Sequence, residues 1–261
     1  MTDGGASQLS VEGIGEGTPV GLLHGFTQNA AAWGRFEEIL AASHRVNAVD
    51  LPGHRGSSDL RADLWQTAEL VCRSCGPCDY IGYSLGGRVL LHAALARPDA
   101  VRRAVFIGAT GGIEDDHERD ARIASDELLA SELDAAAGDE RKLEEFLTRW
   151  IAGPLFAGLT EDAACMSARM ENTGPGLASS LRLCGTGRQE PLWERVGELT
   201  MPVLVLAGER DERFTSLGRR LADAIGDNAT FAVVAGSNHA CQLERPVETS
   251  ARIEEFFART R

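Results

Sequence analysis

Gly82-Tyr83-Ser84-Leu85-Gly86-Gly87 follows the short run Asp79-Tyr80-Ile81 and opens an apolar, helix-forming segment from Arg88 to Ala96. A serine flanked by glycines at a strand-to-helix switch matches a nucleophile elbow. There, small neighbours permit a strained turn that lifts the serine hydroxyl above the sheet edge. The same pentapeptide also fits an ordinary connection between a strand and a helix, because Gly and Ser are common turn residues. Its meaning depends on what else the chain carries.

Near the C-terminal end, Pro202 to Ala207 reads as a buried strand that runs into Gly208-Glu209-Arg210-Asp211. A later apolar run, Ala229 to Val234, ends in Gly236-Ser237-Asn238-His239 and is followed by Glu244-Arg245-Pro246 and an amphipathic helix. Alone, Asp211 would be a turn residue and His239 a surface histidine. Together they give the chain order Ser84, Asp211, His239, each at the end of a strand, which is the α/β-hydrolase order. The chemistry needs all three types. A serine hydroxyl is barely ionised at neutral pH, so a histidine must take its proton, and a carboxylate must fix the tautomer of that imidazole.

An oxyanion hole has a candidate location as well. Val20-Gly21-Leu22-Leu23 is a short strand that empties into His24-Gly25-Phe26, so the Phe26 amide is expected to face the Leu85 amide at the start of the helix after Ser84.

Composition agrees with an enzyme of this kind. A chain of 261 residues with 43% hydrophobic and 25% charged content can bury a full core as one α/β domain with an insertion. A net charge of −13 and the absence of a long Lys/Arg run exclude nucleic acid and anionic membrane surfaces as expected partners. Met1 to Ser10 is polar and Gly-rich, without the apolar core of a signal peptide, and no apolar run has spanning length. The expected location is cytoplasmic. The six cysteines are then read as reduced thiols; Cys72, Cys75 and Cys78 have a suggestive spacing but no paired Cys/His cluster beside them, so no metal is expected.

Strands are expected at Gln8 to Glu12, Pro19 to Leu23, Arg45 to Val49 and Val101 to Gly108, with a helix from Asp63 to Ser74. This alternation implies a mostly parallel sheet with helices on both faces and a ligand site beyond the strands' C-terminal ends. From Gly111 to about Pro191 the pattern changes to charged helical segments, Asp115 to Ala137 and Glu140 to Trp150, with few β-branched runs. The expected organisation is a hydrolase core over residues 1–110 and 191–261, interrupted by a helical cap over residues 111–190.

Further motifs narrow the reading. They are Leu23-His24-Gly25-Phe26, Asp50-Leu51-Pro52-Gly53-His54, Gly82 to Arg88, Glu118-Arg119-Asp120-Ala121-Arg122, Trp150 before Pro154-Leu155-Phe156-Ala157, Arg169, Ser180-Leu181-Arg182 with Gly185-Thr186-Gly187, and Gly208 to Asp211. With these the chain resembles, over nearly its whole length, the menaquinone-pathway 2-succinyl-6-hydroxy-2,4-cyclohexadiene-1-carboxylate synthases, lyases of the α/β-hydrolase fold. The resemblance implies a triad of Ser84, Asp211 and His239 and substrate-gripping groups at Tyr83, Arg88, Arg122, Trp150 and Arg169. It implies no cofactor, and a small multi-carboxylate substrate from which pyruvate is eliminated. Two departures stand out: Arg55 takes the place of the usual glycine after Pro52-Gly53-His54, and the usual Gly-His of the last motif is here Gly236-Ser237-Asn238-His239, with Glu244 five residues later.

From the residues alone, Arg88 falls one helical turn beyond Ser84 and faces the same cleft. Arg122 has Asp126 at i+4 and also fits a solvated helix face, and Trp150 also fits cap packing. Two rival readings of the whole chain stay open: a serine carboxylesterase or carbon–carbon bond hydrolase that would be acylated at Ser84, and a ligand-binding receptor built on the hydrolase fold.

Overall fold

The computed structural model describes residues 8–260; residues 1–7, which carry most of the stretch read for a leader peptide, and Arg261 lie outside the described residues. The strands are β1 (Val11–Ile14), β2 (Thr18–Leu23), β3 (His44–Val49), β4 (Cys78–Tyr83), β5 (Val101–Ile107), β6 (Val203–Gly208) and β7 (Ala229–Val234). They form one sheet in the order β1-β3-β2-β4-β5-β6-β7. β1 is antiparallel to β3 and the remaining pairs are parallel. The first strand lies slightly later than its residue pattern suggests, because its register is set by pairing Val11 with Val49 and Ile14 with Val46.

The α-helices are α1 (Arg35–Ala41), α2 (Leu64–Cys75), α3 (Leu85–Ala96), α4 (Asp116–Asp134), α5 (Glu140–Ile151), α6 (Glu161–Ala164), α7 (Met166–Arg169), α8 (Gly174–Cys184), α9 (Glu212–Ile225), α10 (Cys241–Glu244) and α11 (Pro246–Arg259). Alternation along the strands sorts the core into two layers. Tyr80, Phe106 and Val205 point to the face covered by α2, α3 and α9. Ile81, Val105 and Leu206 point to the face covered by α1 and α11. Each such side chain, fully withdrawn from water, contributes about 1.5–3 kcal/mol. All six residues of β4 are buried, as a central parallel strand requires.

Local signals start the helices. Asp63 and Gln66 make a reciprocal capping box at the start of α2. Asp115 caps α4 and Asp139 caps α5 by accepting backbone N–H bonds. Between β5 and β6 the chain is helical. Leu133 of α4, Leu147 of α5 and Leu177 of α8 belong to an apolar cluster of their own, against which Phe26 and Trp150 pack from its edge. No helix among the described residues is long and apolar enough to cross a membrane.

Candidate active site

Ser84 stands where β4 ends and α3 begins, with φ 51° and ψ −106°. Such a positive φ strains a residue with a Cβ, so the surroundings must hold it. They do so by close approach. A Cβ on Gly82 would lie 2.5 Å from the Gly86 carbonyl oxygen, and one on Gly86 would overlap the Leu23 carbonyl. Ser84 occupies the N-cap position of α3, yet its side chain makes no capping bond. Its Oγ instead lies 3.1 Å from His239 Nε2.

Asp211 divides its two carboxylate oxygens between structure and site. One accepts the Phe214 N–H at 3.1 Å and caps α9, while the other lies 2.8 Å from His239 Nδ1. A carboxylate only accepts, so Nδ1 carries the proton and Nε2 is left to accept from the Ser84 hydroxyl. The loop that presents His239 is tied down on both sides. Ser237 Oγ donates to the Val234 carbonyl, and the Asn238 N–H donates to Glu244 Oε2 at 2.9 Å. Phe214 and Tyr83 flank the imidazole, with ring centroids 4.3 and 5.3 Å away. Asp211 and His239 are both buried.

The Gly86 N–H donates to the His24 carbonyl at 3.0 Å, which brings the segments carrying Phe26 and Leu85 side by side. His24 accepts the Leu51 N–H at Nε2 and turns Nδ1 onto the Gly25 carbonyl at 2.8 Å, so its ring is neutral. Burial lowers its pKa to about 4, in keeping with those bonds.

These elements enclose a cavity of about 680 Å³, whose wall includes Phe26, Tyr83, Ser84, Leu85, Trp150 and His239. Tyr83 OH and Trp150 Nε1 are both buried and lack a hydrogen-bond partner among the described residues. The two residues line the cavity, and a buried donor left without an acceptor is costly. Trp150 belongs to both the helical layer and the cavity wall, packing edge-to-face on Phe26 at 5.2 Å and stacking on Phe146.

Arg88 and Arg122 also line the cavity. Arg88 is buried, donates from Nη1 to the Cys184 carbonyl at 2.7 Å and, among the described residues, makes no ion pair. Burial first, and then the Arg122 charge against the opposing pull of Asp126 and Cys184, holds its pKa down at about 10. Arg122 is paired with Asp126 at 2.8 Å and remains more exposed.

Arg169 is the exception to the set of gripping residues expected from the sequence. It does not line the cavity and is only 1% exposed. Its Nε donates to the Ala164 carbonyl at 2.7 Å, and its Nη1 donates to Thr27 Oγ1. The four-residue helix α7 turns this side chain down onto the β2–α1 loop, where Asn172 also donates to the Thr27 carbonyl. Thr27 has φ 68° and adjoins Phe26, so Arg169 braces the loop from behind. Residue type and position in the chain gave no warning of this.

The reverse error is the omission of α9. Arg213, Phe214, Leu217 and Arg220 line the same cavity. Their spacing of i, i+1, i+4 and i+7 marks one helix face, a signal present in the sequence but indistinguishable there from a face packed on the core. Arg55, the departure after His54, adopts φ 35° and uses its side chain to bind Glu12 and Glu171. Cys72 and Cys78 are buried with their thiols pushed up to about 11 by burial, and Cys75 is half-buried. Among the described residues no group of three His, Cys, Asp or Glu side chains is placed to hold a metal ion.

Similarity to known proteins agrees with this geometry. A family model described as "Alpha/beta hydrolase family" matches residues 22–252. A Citrobacter koseri protein named 2-succinyl-6-hydroxy-2,4-cyclohexadiene-1-carboxylate synthase is 32% identical over 209 residues, which cover 77% of this chain and 81% of that protein. The chain belongs to the alpha/beta hydrolase family, among these synthases. An Escherichia coli O1:K1 synthase of the same name is 29% identical over 244 residues, covering 90% of this chain and 92% of its own. The solved structure of MenH from S. aureus superposes with a TM-score of 0.86 at 25% identity, over 98% of this chain and 99% of that one.

Proposed function

We propose that this alpha/beta hydrolase family member is a lyase that eliminates pyruvate from 2-succinyl-5-enolpyruvyl-6-hydroxy-3-cyclohexene-1-carboxylate. The product is 2-succinyl-6-hydroxy-2,4-cyclohexadiene-1-carboxylate, the compound named in the synthases to which the chain is similar. The observation that carries this reading is a single cavity holding Ser84 and His239 together with the buried cation Arg88, which makes no ion pair among the described residues. An esterase acting on neutral substrates has no use for such a charge, whereas a multiply anionic substrate does.

The reaction follows from the positions of the groups. The ring proton beside the succinyl ketone is acidic because its loss is spread into the ketone as an enolate. Ser84 Oγ takes that proton as its own passes to His239 Nε2, and Asp211 stabilises the resulting imidazolium. The Phe26 and Leu85 amides stabilise the enolate oxygen as an oxyanion hole. The electron pair then moves through the ring: the 3-ene becomes a 2,4-diene and the bond from ring carbon to enolpyruvyl oxygen breaks. Pyruvate leaves as its enolate and recovers a proton from His239. No covalent bond to Ser84 forms.

Tyr83 and Trp150 flank the bound anion on the cavity wall, and Arg88 and Arg122 meet its carboxylates. The helices of residues 111–190 act as the cap that carries Arg122 and Trp150 over the site. The direct test is incubation with the enolpyruvyl substrate, with pyruvate release followed by NADH oxidation through added lactate dehydrogenase. Release with turnover is expected, and its absence from folded protein would overturn the reading.

A further inference from the structure

The proposed substrate carries three carboxylates, one each on the succinyl, enolpyruvyl and ring positions, and the cavity must meet them within a protein of net charge −13. Two cations near each other line it, Arg88 of α3 and Arg122 of α4. Arg169 is held beneath the β2–α1 loop and does not line the cavity. Arg220 lines the cavity but is already held: both of its terminal nitrogens bind the Glu114 carboxylate, at 2.6 and 2.9 Å, and its guanidinium lies 3.9 Å from the Trp193 ring centroid.

Arg213 is different. It sits in the first turn of α9, two residues after Asp211, and its neighbour Phe214 packs on His239. It shares its cavity-facing helix face with Leu217 and Arg220. Among the described residues it makes no hydrogen bond and no ion pair. The cavity's acidic residues do not pair with it: Glu114 is bound to Arg220, Asp115 caps α4 by accepting the Glu118 N–H, and among the described residues no ion pair or hydrogen bond joins Glu118 to it. A guanidinium without a partner among the described residues, on the wall of the cavity that holds Ser84 and His239, has the fork geometry that a carboxylate binds.

Resting on the lyase reading above, we infer that Arg213 is a specificity-determining residue that binds the third carboxylate of the substrate, from the α9 wall of the cavity that Arg88 and Arg122 also line. It draws the substrate toward Ser84 and His239 and sets the preference for a triply charged ligand over a neutral one.

The test compares wild type, Arg213→Gln, Arg213→Lys and Arg219→Gln on two substrates, the enolpyruvyl compound and a neutral p-nitrophenyl ester. Arg219 lies on the same helix but outside the cavity, against Phe231, and serves as the charge control. Loss of one charge-assisted pair should raise KM for the anionic substrate by about 10- to 100-fold, with kcat little changed. Arg213→Lys should recover part of that loss, and Arg219→Gln should stay within about twofold of wild type. Rates on the neutral ester should be the same in all four proteins. Equal losses on both substrates would mean that Arg213 merely supports the Asp211 loop, and the inference would fall. An unchanged KM in Arg213→Gln, with wild type releasing pyruvate, would overturn the Arg213 assignment and leave the lyase reading standing. A folded wild type that releases no pyruvate would overturn both.

Discussion

Asp211→Asn changes one atom, and the structure dictates what that atom does. One Asp211 oxygen accepts the Phe214 N–H and the other meets His239 Nδ1. In the asparagine variant the carbonyl oxygen must keep the Phe214 position, since the reverse orientation would set two donors against each other. The amide NH2 then faces Nδ1, which can only accept, so the imidazole proton moves to Nε2. That nitrogen lies 3.1 Å from Ser84 Oγ and now donates where it must accept. The base is disabled while shape and packing are preserved. A wrong tautomer in a serine triad lowers kcat by about 10³- to 10⁴-fold, equivalent to roughly 4–5.5 kcal/mol of transition-state stabilisation. KM should move by no more than about threefold, because no substrate contact is removed. Loss of the charge-assisted bond should cost about 1–2 kcal/mol of stability and lower Tm by a few degrees. The assay is coupled pyruvate release at saturating and limiting substrate, with thermal unfolding followed by circular dichroism. A folded variant with kcat within about tenfold of wild type would refute the role given to Asp211.

Four further outcomes are expected. Ser84→Ala and His239→Ala should each abolish pyruvate release while substrate still binds, and the double variant should be no worse than either, because base and relay act as one unit; additive losses in kcat would contradict this. Arg88→Gln and Arg122→Gln should each weaken kcat/KM for the anionic substrate by about 10- to 100-fold and leave hydrolysis of a neutral ester nearly unchanged. Arg169→Ala should instead lower both activities alike and reduce Tm, since it strips Thr27 Oγ1 and the Ala164 carbonyl of their donor; a loss confined to the anionic substrate would place Arg169 in the cavity after all. His92 is held neutral by burial with its pKa near 4, below the usual 6.5, so the unfolded chain takes up a proton that the native state refuses. Stability should therefore fall as pH drops from about 6.5 toward 4, and urea titrations at several pH values should show a shallower fall in His92→Gln; identical slopes would show that His92 does not contribute.

Much of the architecture was legible because its signals are local. A serine between Gly82 and Gly86 reads as an elbow because only glycine tolerates the approach of neighbouring backbone there, and this steric demand is written into consecutive residues. Strand cores such as Val203 to Ala207 read plainly because a central parallel strand must be apolar on both faces. The first strand was less legible, since an edge strand takes its register from its partner and not from its own pattern.

The arginines mark the boundary between what the sequence determined and what tertiary structure decided. The order Ser84, Asp211, His239 and the strand ends that carry them follow from hydrophobic periodicity and turn chemistry, both properties of short stretches of chain. Whether a given arginine faces the cavity does not. Arg169 is pulled under the β2–α1 loop by Thr27, 142 residues away in the chain, and by the turn of a four-residue helix. Arg220 is occupied by Glu114, 106 residues distant, while Arg213 on the same face has no partner among the described residues. A guanidinium on a long, flexible stem reaches whichever acceptor the packing brings near it, so its partner is fixed only once elements far apart in sequence have docked.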